Sequence, residues 1–230
     1  MSSTRPDAPR LMLPGLHEVY EAFVRQSAEL PDLNGALQAE LWTSAQLGAL
    51  ESTAPHAEGR RAALGDLITS LRDAGTPGGR LFLRALAAMG PRELRGIARR
   101  AAGDAVDAPW APALGRVSVS QVWLIQEGPL DGDRLVCEFR YQDGSSLHAL
   151  AVRLSYGDAP SEIVVVGDVP ALMTAARQAM QAELCVVQPY DAGAVGERLR
   201  AALEGAPTLP EECYPALALA RHRVDVLTGR

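Results

Sequence analysis

The segment Arg134–Leu154, RLVCEFRYQDGSSLHALAVRL, constrains the fold more tightly than any other stretch of the chain. Leu135, Cys137, Phe139 and Tyr141 alternate with Arg134, Glu138, Arg140 and Gln142, and Val136 is the one exception. Such alternation is the period of a strand with one buried face. Asp143-Gly144 follows and suits the positive φ angles of a type I′ turn. Beyond it, His148, Leu150, Val152 and Leu154 share one face, and Leu147, Ala149, Ala151 and Arg153 share the other. A two-residue turn pairs Phe139 with His148, Cys137 with Leu150 and Leu135 with Val152. A four-residue loop, Asp143–Ser146, slides the pairing and sets Tyr141 against His148 and Phe139 against Leu150. Both registers keep the apolar sets together, whereas a one-residue slip would part them. The hairpin is expected in either case. Its other face, with Val136, Ala149 and Ala151, has side chains small enough for a covering helix or a partner to approach closely.

Ahead of the hairpin the sequence reads as helices. Leu16–Ser27 carries Leu16, Val19, Tyr20, Phe23 and Val24 on one stripe. Pro31-Asp32 breaks the chain, and the next helix has Leu37, Leu41, Trp42, Ala45 and Gly48 near one face. Leu64, Leu67, Ile68 and Leu71 mark a third helix, closed by Gly75 and Pro77. A fourth runs to Gly90-Pro91, and a fifth has Leu94, Ile97, Ala98 and Ala101 facing inward. Ala108-Pro109-Trp110-Ala111-Pro112 is a stiff linker, because proline on both sides of Trp110 favours extended backbone. Trp110 is read as an anchor for the linker, with ligand stacking as the alternative.

Strands begin at Val117. Glu162–Gly167, EIVVVG, is nearly all apolar and reads as a central strand. Asp168 caps a helix, a short strand follows, and the later strand–helix–strand could add a parallel pair. A last helix near Tyr214–Thr228 carries Leu217, Ala220, Val224 and Leu227, with Arg221, His222 and Arg223 read as cations that suit the helix dipole. The expected fold is α+β: an N-terminal helical bundle followed by a mainly antiparallel β-sheet with packed helices. The expected divisions are a flexible arm at 1–15, a helical domain at 16–107, the Pro/Trp linker at 108–116 and an α+β domain at 117–230.

Composition narrows the chemistry. The 22 basic residues are all arginine, and there is no lysine. No lysine Schiff base, P-loop lysine or kinase strand lysine can therefore operate, and arginine cannot substitute because it does not deprotonate. The net charge of −6 supplies no global basic field for nucleic acid or an anionic membrane. Cys137, Cys185 and Cys213 are widely spaced and form no CxxC, which fits a reducing cytoplasm. There is no apolar run long enough to span a bilayer, no GxSxG elbow and no GxGxxG fingerprint. No cofactor is expected.

The segments PWAPALGR, LVCEFRY and DGSSLHAL resemble an uncharacterised family of actinobacterial proteins, in which a helical first half precedes a Pro-Trp-Ala-Pro linker and a CEF-Y-D…HAL hairpin. The likeness covers residues 34–204 in outline. It implies this architecture and a bacterial cytoplasmic setting, and it carries no activity or site residue across.

Three groupings could carry function. Glu138, His148 and Asp168 are the acid–base candidates, with Glu162 and Asp168 as metal ligands. Against this, Glu138 and His148 point to opposite faces in either register, and Asp168 already caps a helix. His148 alone is a general base or ligand on one reading, and on the other a strand-end histidine bonded to a loop. Arg92, Arg95, Arg99 and Arg100 lie along one helix and could contact phosphate, or form a solvated surface; Ala and Gly beside them do not suit base reading. The leading expectation is a non-enzymatic cytoplasmic interaction or regulatory protein that binds a protein partner or itself, homodimeric through its sheet or last helix. A metal-dependent hydrolase or nuclease using the acidic residues comes second, and nucleic-acid binding through 92–100 third.

Overall fold

The computed structural model describes residues 16–53, 56–105, 108–128, 132–182, 184–205 and 208–229. The arm expected at 1–15 lies outside them. Helices α1 (Leu16–Gln26), α2 (Ala36–Thr53), α3 (Ala57–Ala74), α4 (Pro77–Met89) and α5 (Arg92–Ala102) fill the first half. Strands β1 (Val117–Gly128), β2 (Gly132–Tyr141), β3 (Leu147–Leu154) and β4 (Pro160–Val166) follow, then α6 (Val169–Gln181), β5 (Val186–Pro189), α7 (Ala192–Gly205) and α8 (Tyr214–Leu227). The fold is α+β.

The helix joints follow from residue chemistry. Gly75 closes α3 with φ of 61°, and the Thr76 hydroxyl then accepts the Gly79 N–H at 3.0 Å to cap α4. Helix α4 packs against α2, α3, α5 and α8, which is why Leu81, Phe82, Leu83 and Leu86 are buried around its circumference. Peripheral helices bury less than their patterns promise. Val19 is 40% exposed and Ile97 is 45% exposed, although both were expected to face inward.

The five strands lie in the order β4-β3-β2-β1-β5, and every pairing is antiparallel. Two expectations are corrected here. The EIVVVG run forms an edge strand: the turn at Glu211–Cys213 and α8 pack against β4, Ile163 and Val165 join the inner cluster, and Val164 is 39% exposed. There is no parallel pair among the described strands, because α6 carries the chain from one edge to the other, where β5 runs antiparallel to β1.

The hairpin has Phe139 opposite His148, Cys137 opposite Leu150 and Leu135 opposite Val152. This is the register of the shorter turn, but the type I′ geometry is not adopted. Gly144 has φ of 75° and Asp143 is not in the left-handed region. Instead Asp143 Oδ1 accepts the Ser145 N–H at 2.9 Å, which stabilises a wider connection. The inner face of the sheet, from Leu135 to Leu154, joins the helices in one continuous apolar cluster that runs from Tyr20 to Leu227. On the outer face, Val169 and Met173 of α6 pack over Val136, Ala149 and Ala151, so the covering helix expected there is α6.

Candidate functional site

A cluster of titratable groups is buried between the helices and the inner sheet face. Helix α2 turns Ala36, Ala39, Glu40, Thr43, Ser44, Leu47 and Gly48 inward; of the expected face, Gly48 is buried and Leu37 and Trp42 pack partly buried against the core, but the polar Glu40, Thr43 and Ser44 were not expected inside. The reason is polar pairing. Helix α8 lies directly against α2, and a Cβ at Gly48 would sit 2.1 Å from the Tyr214 carbonyl oxygen. Contact this close brings Glu40 to Arg223, and the Ser44 hydroxyl accepts the Leu219 N–H at 3.1 Å.

Glu40 and Arg223 are both fully buried. Glu40 Oε1 accepts the Gly115 N–H at 2.6 Å, and Oε2 accepts the Tyr141 hydroxyl at 2.7 Å and Arg223 Nη2 at 2.5 Å. Arg223 Nε donates to His148 Nε2 at 3.1 Å, and its Nη1 lies 2.7 Å from His222 Nδ1. The guanidinium carbon stands 5.7 Å from the Phe139 ring centre and 5.8 Å from that of Tyr141. Because His148 Nε2 accepts, its proton is on Nδ1, which has no hydrogen-bond partner. Burial and then the Arg223 charge push His148 down to about 3 and His222 down to about 4. Burial alone would raise the Glu40 carboxyl, yet Arg223, the Gly115 N–H and the Tyr141 hydroxyl together hold it below the usual range. Burial and the Glu40 charge raise Tyr141. One carboxylate and one guanidinium thus carry charge, and both histidines are neutral.

Arg223 and His222 were read as cations that suit the helix dipole; instead both are buried, Arg223 in an ion pair and His222 neutral. Spacing held the signal. Arg223 follows Ala216, Leu219 and Ala220 by seven, four and three positions and precedes Leu227 by four, so it stands inside the apolar stripe. Glu40 stands likewise between Ala36 and Leu47.

The acid–base candidates are not brought together. Glu138 faces the outer side and accepts the Trp123 indole N–H at 2.9 Å, while His148 is fully buried on the inner side. Asp168 caps α6 by accepting the Ala171 N–H at 3.0 Å. Glu162 pairs with Arg134 at 3.6 Å. Among the described residues no group of three His, Cys, Asp or Glu is placed to hold a metal. Along α5, Arg92 and Arg95 are tied to Asp225 of α8 at 2.7 and 3.1 Å, and Arg99 and Arg100 are exposed. The Trp110 indole donates to the Leu33 carbonyl at 2.8 Å and so anchors the linker to the helical half.

A second site is open to solvent. A cleft of about 330 Å³ lies among the end of α2, the start of α3, the α4–α5 turn, α7 and α8. Leu50, Leu64, Met89, Leu203, Ala218 and Val224 form its floor. Charged side chains form its rim. Arg221 grips Glu51 with both terminal nitrogens, at 2.6 and 3.0 Å, and the Asp225 pairs stand nearby.

The fold and these two sites define an α+β protein with a sealed polar cluster in its core and an amphipathic cleft on its surface. Comparison with protein-family models, with curated proteins and with solved structures finds no match to the chain. Among the described residues no helix is long and apolar enough to cross a membrane.

Proposed function

We propose that this chain is a non-catalytic cytoplasmic binding protein, an interaction or regulatory module whose recognition site is the cleft between α2, α3, α5, α7 and α8. One observation carries the reading: the buried cluster of Glu40, Tyr141, His148 and His222 is separate from this cleft. His148, His222, Tyr141 and Glu40 are sealed from solvent, while the described cleft lining contains no Ser, Thr, Cys, His, Tyr or Lys, and its carboxylates Glu51 and Asp225 are held in arginine pairs. An apolar floor with a few converging charges suits binding. The resemblance to the actinobacterial family supplies no activity and leaves this reading unchanged.

The test is a small-molecule fragment screen read by methyl NMR of Met89, Leu203 and Val224. Binders are expected to shift these methyls and raise Tm. Ala218→Phe, which fills the cleft, is expected to abolish both effects in a protein that still folds. A broad library that leaves every one of these methyls unmoved sinks the reading.

Self-association is a second reading, favoured by an exposed apolar strip around the edge strand β5, where Leu184 is 67%, Val186 54% and Tyr190 44% exposed. A second copy of the chain would cover it. The last helix is no such surface, because Leu217, Leu219 and Ala220 are fully buried. Light scattering at micromolar concentration is expected to give twice the 24.4 kDa chain mass, and Val186→Glu is expected to return it to that of one chain. A single-chain mass for the unmodified protein ends this reading.

A further inference from the structure

We propose that the groove between α1 and α3, separate from the cleft, is a second binding site and takes a primary ammonium group on an aliphatic stem. The groove has a volume of about 580 Å³, and Tyr20, Val24, Asp66, Thr69 and Ala74 are among the residues that line it. Two of its polar groups are unspent. Tyr20 is 1% exposed, and its buried hydroxyl has no hydrogen-bond partner among the described residues. A buried hydroxyl ordinarily finds one, because an unmade bond leaves the cost of its desolvation standing. Asp66 is half-buried on the facing helix, and its carboxylate takes part in no hydrogen bond or ion pair among the described residues. Burial and then the Asp66 charge raise the Tyr20 hydroxyl, so the two groups stand near each other without bonding.

The other polar groups of the groove are already committed. Glu21 stands between His17 at 3.1 Å and Arg25 at 3.8 Å. Asp73 accepts from Arg72 twice, at 2.9 and 2.8 Å. Thr69 and Ser70 donate to carbonyls one turn back in their own helix, at 3.1 and 3.0 Å. The groove is lined by three carboxylates and by one arginine, Arg25, whose partner is Glu21. Asp66 is therefore the carboxylate left without a cation. A bound ammonium supplies what both groups lack: one N–H for the Asp66 carboxylate and another for the Tyr20 oxygen. Its compact head with three donors can reach oxygens on two different helices, whereas the planar fork of a guanidinium matches the two oxygens of one carboxylate. Val24, Ala74 and the Thr69 methyl offer apolar surface to the stem. The chain has no lysine, so no lysine of a second copy can fill the site, and the amine comes from another molecule.

Probes of one stem length test this on the full chain near neutral pH: pentylammonium, pentyltrimethylammonium, pentanol and pentanoate, followed by calorimetry and by the methyls of Val24, Thr69 and Ala74. Pentylammonium is expected to saturate and shift these methyls. Pentanol is expected to bind at least about tenfold more weakly, which is about 1.4 kcal/mol, and pentanoate to shift nothing. Pentyltrimethylammonium keeps the charge without an N–H donor and is expected to bind more weakly than pentylammonium. Asp66→Asn is expected to bring pentylammonium down to the pentanol level, and Tyr20→Phe to erase its advantage over the trimethyl probe, both with unchanged circular dichroism spectra. Nα-acetyl-lysine methylamide separates the sources: tighter binding than pentylammonium assigns the site to a lysine of a protein partner, and weaker binding assigns it to a free amine. If pentanol equals pentylammonium, if Asp66→Asn keeps the preference, if Tyr20→Phe changes nothing, or if no amine moves the methyls, the proposal is overturned. The methyls of Met89, Leu203 and Val224 report on the cleft separately, so that reading stands or falls on its own.

Discussion

Replacing Glu40 with glutamine tests the sealed cluster at its centre. The substitution keeps the shape and leaves no cavity, and its amide oxygen can still accept from Gly115 or Tyr141. What it removes is the only carboxylate bonded to the fully buried Arg223 among the described residues. A buried charge stripped of its partner costs about 3–5 kcal/mol, a large share of the roughly 5–15 kcal/mol that holds a typical domain folded. For a chain of this size each kcal/mol moves Tm by about 2–4 °C, so the expected fall is about 6–20 °C. The assay is urea unfolding of four proteins: wild type, E40Q, R223M and the double variant. In the double variant the uncompensated charge is gone, so its loss should be at least about 2 kcal/mol smaller than the sum of the single losses. Glu51→Gln, on the partly exposed rim, is the control and should cost about 1 kcal/mol or less. A loss of under about 1 kcal/mol for E40Q, or strictly additive singles, refutes the claim that pairing in a dry environment holds this site together.

Other outcomes follow from the same geometry. Gly48→Ala places a Cβ 2.1 Å from the Tyr214 carbonyl oxygen, so α2 and α8 must part at a cost of about 1–3 kcal/mol; Gly59→Ala, with open space at that position, should cost nothing in the same thermal melt. His148 and His222, held down to about 3 and about 4, bind protons more readily when unfolded, at the ordinary value near 6.5. Their contribution is fully present above about 6.5 and is lost as pH falls toward 4, at about 1.4 kcal/mol per unit for each histidine, and urea midpoints across that range should show the slope halved in His222→Gln. Among the thiols, Cys137 is buried and pushed up to about 12 and Cys213 is buried and also raised, so a thiol reagent should modify only the partly exposed Cys185 in the native protein.

The hairpin was legible in the sequence because its information is local. Period-two alternation and a turn between the runs state both the strands and their faces, and Leu135–Leu154 adopt one of the two registers that parity allowed. The place of EIVVVG in the sheet was not legible. An apolar run looks the same whether other strands flank it or a helix and a turn cover it at an edge, and only the distant Glu211–Cys213 segment decides between these. Val19 and Ile97 went astray for a related reason: a helix at the rim of a bundle buries a narrower stripe than its pattern offers. The sealed cluster was missed because the charges of Arg221, His222 and Arg223 were explained by the helix dipole alone and Glu40 was given no role. Arg223 and Glu40 are 183 positions apart, and only their place inside apolar stripes marked their burial locally.

That long separation also bears on how the cleft is built. Helix α8 turns His222 and Arg223 toward the sealed cluster and Ala218, Arg221, Val224 and Asp225 toward the cleft. Consecutive helical positions differ by about 100° in direction, so fixing Arg223 fixes the bearing of Arg221 and Asp225. Arg223 is held by His148 of β3, Tyr141 of β2, Glu40 of α2 and its neighbour His222, and α8 cannot turn about its axis without stripping a buried charge of these partners. Apolar contacts are non-directional, whereas the hydrogen bonds of Arg223 require one bearing of the helix. A buried ion pair adds little net stability over apolar residues, and its best-attested use is to fix registry. Here the residues whose registry it fixes are those that place two arginines and two carboxylates around the cleft.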